Sequence, residues 1–545
     1  MKKTLELLPI GLLALSACTP KDAGNGYELL NQLPVVAQTV NVDGQEITVN
    51  DFNMLKDTID LPLSFWLEDF QVVKLDDRNE ASADMGAVYI SDNYILVLRK
   101  NQLSPIPCKL YRKDGTYVGK VGDIGQGPGE YQNIYDVQID EADGHIYFMP
   151  WNARSILVYN LQGEYIKNIP LNKKYEKLLA PKATFKVDAI NNKVSVILLP
   201  FDYLPVVAWE QDLEGNFIQE FNPAHLKVVP DFSNEVIPTK VSGNFGAHIF
   251  TFWVDKKDTL YHWNTEKARL QPKFTTNFNQ DQSFLHSYYE FPCHYVGSVT
   301  HPVQTAPGIF EGEKQSLYMI NKETNQGTFF RMKNDFLDDS EARRMPYSID
   351  TGYYTLNLEP SALMEHLEKA LQNEKLSENK RSHLGKLLSL IDENDNNYIL
   401  FGKLRNDFSS EKPNEALLIY NESQLKKKNN SIIINRKPQH TEAPKEEIRD
   451  IRAARLVDWS FIRENNRYKD WDASKPRKVW IGATVDEEGN LSDIRVVRKV
   501  EEEELNEEAL RLMKALGKVE PAIDKATGEP VKHENWVITI PFPIK

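Results

Sequence analysis

The strongest regularity along the chain is a strand pattern, a short polar turn and a second strand pattern, recurring at a spacing of roughly fifty residues. It is read in CKLYRKDGTYVGKVG from Cys108, ILVYNLQGEYIKNI from Ile156 and VAWEQDLEGNFIQEF from Val207, with turn glycines Gly115, Gly163 and Gly215. Weaker copies begin at Leu260, Leu317 and Ala416, which makes six. Further strand patterns lie between the copies, among them HIYFMP from His145, KVSVILL from Lys193 and AHIFTFWV from Ala247. Roughly fifty residues is the size of one four-stranded propeller blade, and a blade buries its faces only by stacking on its neighbours. The pattern therefore predicts an all-β, six-bladed propeller over about 61–424.

Two stretches break this rhythm. From Pro360, the run PSALMEHLEKALQNEKLSENKRSHLGKLLSLI places Leu384, Leu387, Leu388 and Ile391 on one helical face, with Ser361 as a candidate N-cap. It predicts a helical hairpin over about 359–392 inserted in a propeller loop, either as packing or as a lid on a binding face. After a polar linker over about 425–450, a strand at Val479–Val485, a turn at 487–490, a strand from Leu491, a helix capped at Asn506 and a final strand from Trp536 follow in the order β-β-α-β. These describe a small α+β domain over 451–545.

The stretch GDIGQGPGEY, Gly122 to Tyr131, is the most unusual composition in the chain. A phosphate-cradling loop would need a Lys and a Ser or Thr leading into a helix; here another alternating strand pattern follows, so the glycines and Pro128 read as a turn between blade strands. Its exposed surface, Gly125, Gln126, Gly127, Pro128, Gly129, Glu130 and Tyr131, is the candidate loop surface, with Gly127 the expected left-handed position. With the preceding VVKLDD from Val72 and DNYILVLR from Asp92, this segment resembles the six-bladed β-propeller lipoproteins of Gram-negative bacteria. That resemblance spans roughly 60–430 and implies a fold more than an activity.

The N-terminus opens on Lys2-Lys3, runs through LLPIGLLAL and reaches Leu15-Ser-Ala-Cys18. A charged start, a short apolar run and small residues describe a secretory signal over 1–17. The last four residues resemble a lipobox, which implies cleavage before Cys18, acylation of that residue and an anchored rather than spanning protein. Thr19 in place of Asp, by the same resemblance, implies an outer-membrane lipoprotein, with the periplasmic side expected for the body of the chain. Residues 18–60 read as a lead-in.

VDEEGNLSDIRVV from Val485, the helix after it, Pro521-Ala, GEPV from Gly528 and the terminal apolar strand resemble the C-terminal domain of TonB-type energy transducers. What this implies is recognition of an extended segment of an outer-membrane transporter by strand addition. The candidate peptide-binding edge carries Trp536, Ile538, Ile540 and Phe542. A transducer, however, has an N-terminal transmembrane helix; this chain has a lipobox, which leaves binding without force transmission.

Composition narrows the function classes. A net charge of -14 over 545 residues excludes a duplex nucleic-acid binder in the absence of a strong basic patch, and Lys426-Lys427-Lys428 reads as solvated linker. Three cysteines, of which Cys108 and Cys293 follow the anchor position, do not make a disulfide framework. His286, Cys293, His294 and His301 invite a metal reading, but their spacing fits no zinc rule, and no metal or other cofactor is expected. No nucleophile or metalloprotease motif stands out. The reading is a noncatalytic, lipid-anchored envelope interaction protein, the alternative a tethered propeller enzyme acting on glycans as a lyase or hydrolase.

Overall fold

The computed structural model describes residues 29–542 except 43, 84, 100–105, 176–177, 229–233, 252–257, 279–284, 301, 307–308, 313–314, 343–344, 346, 408–414, 427–450, 453–458, 470, 472–476, 499, 501 and 525–528. Cys18 and the rest of the predicted signal and lipobox lie outside these residues, as do His301 and most of the predicted linker. The chain divides into two compact units, Met1–Ser431 and Ile432–Lys545.

The first unit is a six-bladed propeller. Blades one to three are regular antiparallel four-stranded sheets, opening at Ala87–Ile90, Ile134–Asp140 and Ala183–Asp188 and closing on Tyr117–Val121, Tyr165–Pro170 and Phe217–Phe221. The repeat seen in the sequence is the third and fourth strand of blades one to five. Its turn is held by local chemistry: Asp212 Oδ1 accepts from the backbone N–H of Glu214 at 3.0 Å and of Asn216 at 2.6 Å, and Asn160 Oδ1 does the same for Gln162 and Glu164. Gly115, Gly163 and Gly215 take φ of 83°, 86° and 83°, where a Cβ would be strained.

From Ala37 onward the segment read as a lead-in adds strands to the propeller. Gln45–Asp51 pairs parallel with Arg269–Asn277, the fourth strand of blade four, and Ala37–Val42 extends that sheet to six strands. Thr58–Pro62 likewise adds a parallel fifth strand to blade five, beside Gly327–Lys333.

Blade six differs from the sequence expectation. The copy at Ala416 is not a hairpin: only Ile419–Tyr420 is strand, and it pairs parallel with Gln71–Val72. The hairpin position is filled from the other end of the chain, by Gln71–Lys74 beside Tyr398–Lys403. In blades one to four the fourth strand leads in the chain to the first strand of the next blade, and Gln71–Lys74 leads to Ala87–Ile90 of blade one. It is therefore the fourth strand of blade six, with Tyr398–Lys403 third and Tyr353–Leu358 second. The innermost place is taken by the 3-10 turn Tyr347–Thr351, which packs on the first strands of blades one, four and five. Ring closure thus joins segments 350 positions apart, as between Lys74 and Gln424.

The helical hairpin forms as Pro360–Leu371 and Glu378–Leu388, between the second and third strands of blade six. Pro360 rather than Ser361 opens it, with Glu359 at the N-cap, because proline is favoured at the first helical position. Leu363, Leu367, Leu384 and Leu387 are buried in one cluster with Trp66, Phe291 and Phe330 of the blade five to six region. The hairpin is part of the core there.

In the second unit Arg477–Val485 is the centre of a three-stranded antiparallel sheet, flanked by Leu491–Arg498 and His533–Phe542. The helix Glu503–Leu516 covers it through Leu505, Ala509, Leu512 and Met513, which pack with Val479, Ile481, Trp536, Ile540 and Phe542. Asn506 is not the cap. It lies inside the helix, buried, and its side chain accepts from Val500 N and donates to Val500 O, both at 2.8 Å, bracing the chain that enters the helix.

Candidate functional site

The glycine-rich stretch joins blade one to blade two, as a folded connection rather than a helix-opening loop. Asp123–Ile124 and Glu130–Tyr131 form a two-residue parallel ladder. Tyr131 is its buried pin: its hydroxyl donates to Val121 O at 2.6 Å and accepts from Cys108 N at 2.8 Å. Within 125–131 the left-handed position is Gly129 (φ 73°), not Gly127, while Gly122 at the start of the stretch is left-handed as well (φ 61°); a Cβ on Gly129 would fall 2.4 Å from Tyr165 Cγ. Tyr159 donates to the Gly129 carbonyl at 2.9 Å, which fixes that peptide against blade two. Gly127 needs no such conformation; its N–H donates to Glu130 Oε2 at 2.8 Å. Gln126, Gly127, Pro128 and Glu130 are exposed, while Gly129 and Tyr131 are buried.

Chemistry-bearing side chains gather instead at the seams between blades. Glu210 of blade three is fully buried and accepts from Trp263 Nε1 at 2.9 Å and Thr265 Oγ1 at 2.8 Å, both of blade four. Glu290 of blade five accepts from Thr239 of blade four at 2.8 Å and Lys322 at 2.7 Å, and lies 2.7 Å from His262 Nε2. Burial would raise its carboxyl pKa, but the His262 hydrogen bond and the Lys322 charge outweigh it and hold it down to about 2. Asp136 of blade two accepts from Thr184 of blade three at 2.8 Å and from Lys240, after the first strand of blade four, at 2.9 Å.

His286 does not meet Cys293 or His294. Register pairs it with Val299, while His294 sits beside the turn at the other end of the same hairpin. It joins two residues that the sequence did not single out, His248 and Asp258 of blade four. His286 Nε2 lies 2.8 and 2.9 Å from the two Asp258 oxygens, and His248 Nε2 lies 3.1 Å from Oδ2. One ligand-type atom from each residue can be chosen so that all fall within 4.8 Å of one another. The protonation pattern, however, suits a hydrogen-bonded latch better than a metal. Tyr288 N–H donates to His248 Nδ1 at 3.1 Å, so the single proton of the neutral ring belongs on Nε2, the atom a metal would need. Burial pushes the His248 pKa down and keeps that ring neutral. Asp258, despite a burial effect in the opposite direction, is held well below the carboxylate range by the two imidazoles. His286 was one of the histidines singled out in the sequence; for His248 the signal was a histidine in the apolar run AHIFTFWV, and nothing local marked Asp258.

In the second unit, Trp536, Ile540 and Phe542 are buried and Ile538 is half-buried, all packed in that unit's own core. Their strand, His533–Phe542, is a terminal strand of its sheet. These side chains are taken up in the core and are not laid out as a peptide-contacting surface. Among the described residues no helix is long and apolar enough to cross a membrane.

A family model described as Domain of unknown function (DUF4934) matches residues 45–403. No curated protein matches the chain. Among solved structures, a Bacteroides fragilis protein described as exported is similar at 14% identity, with a TM-score of 0.46, over 66% of this chain and 99% of its own. A member of the duf4221 family from Bacteroides vulgatus is similar at 13% identity, with a TM-score of 0.31, over 62% and 97%. Apo AztD from Citrobacter koseri is similar at 12% identity, with a TM-score of 0.26, over 52% and 83%.

Proposed function

The chain belongs to the DUF4934 family, and we propose that it is a noncatalytic, lipid-anchored interaction protein of the cell envelope. The observation that carries this reading is how the ionisable side chains of the propeller are used. Asp136, Glu210, Asp258 and Glu290 each accept hydrogen bonds from a neighbouring blade. A general acid or base must reach substrate; these groups hold the ring together, which suits a rigid scaffold.

The second unit supplies the docking element in this reading. It resembles the transducer C-terminal domain, and its terminal strand His533–Phe542 presents a sheet edge to an extended segment of an outer-membrane transporter or a related envelope peptide. Acylation at Cys18 anchors the protein to the outer membrane, with the body on the periplasmic side. In this reading the protein occupies or organises the partner's segment.

Membrane fractionation of cells making Cys18→Ser tests the anchor. The variant is expected in the soluble envelope fraction and the parent protein in the outer membrane. A variant that still sediments with outer membranes would remove the lipid anchor from this account.

A further inference from the structure

The strand Ala37–Val42, AQTVNV, is the terminal strand of the six-stranded sheet of blade four. Ala37 is its one buried residue; Gln38 and Val42 are exposed on one face and Thr39 and Asn41 on the other. The stretch is also neutral: from Leu29 to Val42 no residue is charged, in a chain that is 26% charged. Charged side chains are the common guard on an edge strand, and here apolar ones stand in their place. Val35 is 56% exposed, Val42 51% and Met54 46%, so three of the ten exposed large hydrophobics among the described residues fall within 35–54. Val35 and Met54 are brought to one end of the hairpin, because Asp51 N–H donates to Val36 O at 2.9 Å and the turn Phe52–Met54 follows at once. Val42 lies at the other end, opposite Gln45. Exposed apolar residues scattered singly are ordinary; a group of them along a charge-free strand marks a contact surface.

Chain length says what covers this surface. Residues 19–28 separate Cys18 from Leu29. An extended chain spans at most about 3.6 Å per residue, so an acyl anchor at Cys18 holds Leu29 within roughly 40 Å of the membrane. That tether ends on the folded body, since Leu30 is buried in the propeller core and Gln326 Nε2 donates to Leu33 O at 2.8 Å. The next element along the chain is this strand. A headgroup layer takes shallow apolar side chains together with neutral amides and hydroxyls, whereas an ammonium or carboxylate would lose hydration there.

We propose that Val35, Val42 and Met54, with the charge-free strand Ala37–Val42, form a lipid-contacting surface that rests against the zwitterionic headgroups of the membrane holding the anchor. It rests on the acylation of Cys18, and it sets which side of the propeller faces the bilayer.

The acylated full-length protein, reconstituted in phosphatidylcholine and phosphatidylethanolamine vesicles, tests this. In a Cys293→Ser background a nitrobenzoxadiazole fluorophore is attached in turn at Val35→Cys, at Val42→Cys and, as a reference, at Ile190→Cys, a position on blade three that is 83% exposed. A quencher carried on lipid headgroups should reduce emission at 35 and 42 and leave that at 190 nearly unchanged. The contact is apolar, so the loss should persist at high salt, and Val42→Glu should restore emission at 35. Protein that floats with the vesicles while all three positions are quenched alike would overturn the surface and leave the anchor standing. Protein that does not float would remove the anchor, and the surface with it. Shielding at 35 and 42 that grows with the number of protein molecules per vesicle would mean that a second copy covers the strand, and would also overturn the proposal.

Discussion

Lys240 Nζ, from blade four, lies 2.9 Å from Asp136 Oδ2 of blade two, so one ion pair joins two blades that are not neighbours in the ring. Both side chains are largely buried, at 14% and 3% exposure, and Asp136 also accepts from Thr184 and Phe185 N of the intervening blade. Three consecutive blades therefore share one carboxylate. Breaking a buried pair leaves one charge without compensation and costs roughly 3–5 kcal/mol. Lys240→Met and Asp136→Asn should each lower the propeller's urea midpoint accordingly. The double variant should lose clearly less than the sum of the two. Additive losses would show that the pair does not couple the blades.

The glycine-rich connection gives a contrast between two neighbouring positions. Gly129→Ala places a Cβ at positive φ and 2.4 Å from the Tyr165 ring, and should cost about 2–4 kcal/mol. Gly127→Ala meets only the Glu130 carboxylate, at 3.0 Å, on an exposed and flexible side chain, and should cost well under about 1 kcal/mol. Thermal melts of the two variants separate them. Equal losses would place the strain elsewhere in the loop.

Acid sensitivity follows from the buried imidazoles. His294 is pushed down to about 3 by burial, with the Lys322 charge adding to the effect. The unfolded chain takes up this proton below about pH 6.5 and the folded chain does not, so stability falls as pH drops through that value, by about 2 kcal/mol at pH 5. His248, also pushed down by burial, acts in the same direction. Carboxylates held low, such as Glu290, add their loss only as pH falls below about 4.3. His294→Gln should therefore flatten the fall in melting temperature between about pH 6.5 and 4.5. An unchanged slope would mean that His294 takes up its proton in the folded state.

The parts of this fold that were legible in the sequence are those written in local chemistry. The turns at Asp212 to Asn216 and Asp486 to Asn490 each carry a side chain that accepts from the backbone two and four residues on, with glycine between. Such turns announce their hairpins without reference to the rest of the chain. Blade six was misread because its fourth strand, Gln71–Lys74, is supplied from the opposite end of the chain and no local signal marks that pairing. The seam residues were missed for the same reason. His286 and Asp258 are 28 positions apart and lie on different blades, so their meeting depends on how two sheets stack. The helix caps shifted because Asn506, a good cap by type, is held instead by Val500.

The account turns on the strand His533–Phe542 serving as a docking edge, and hydrogen exchange tests that most directly. The full chain is exchanged with and without a synthetic peptide from the periplasm-facing N-terminal segment of an outer-membrane transporter. Strand addition gives the edge amides new acceptors, so the account predicts slower exchange confined to 533–542, reversed when Thr539→Pro removes a donor within the strand. Unchanged exchange along this strand at saturating peptide, or protection that appears only as the chain self-associates, would contradict it.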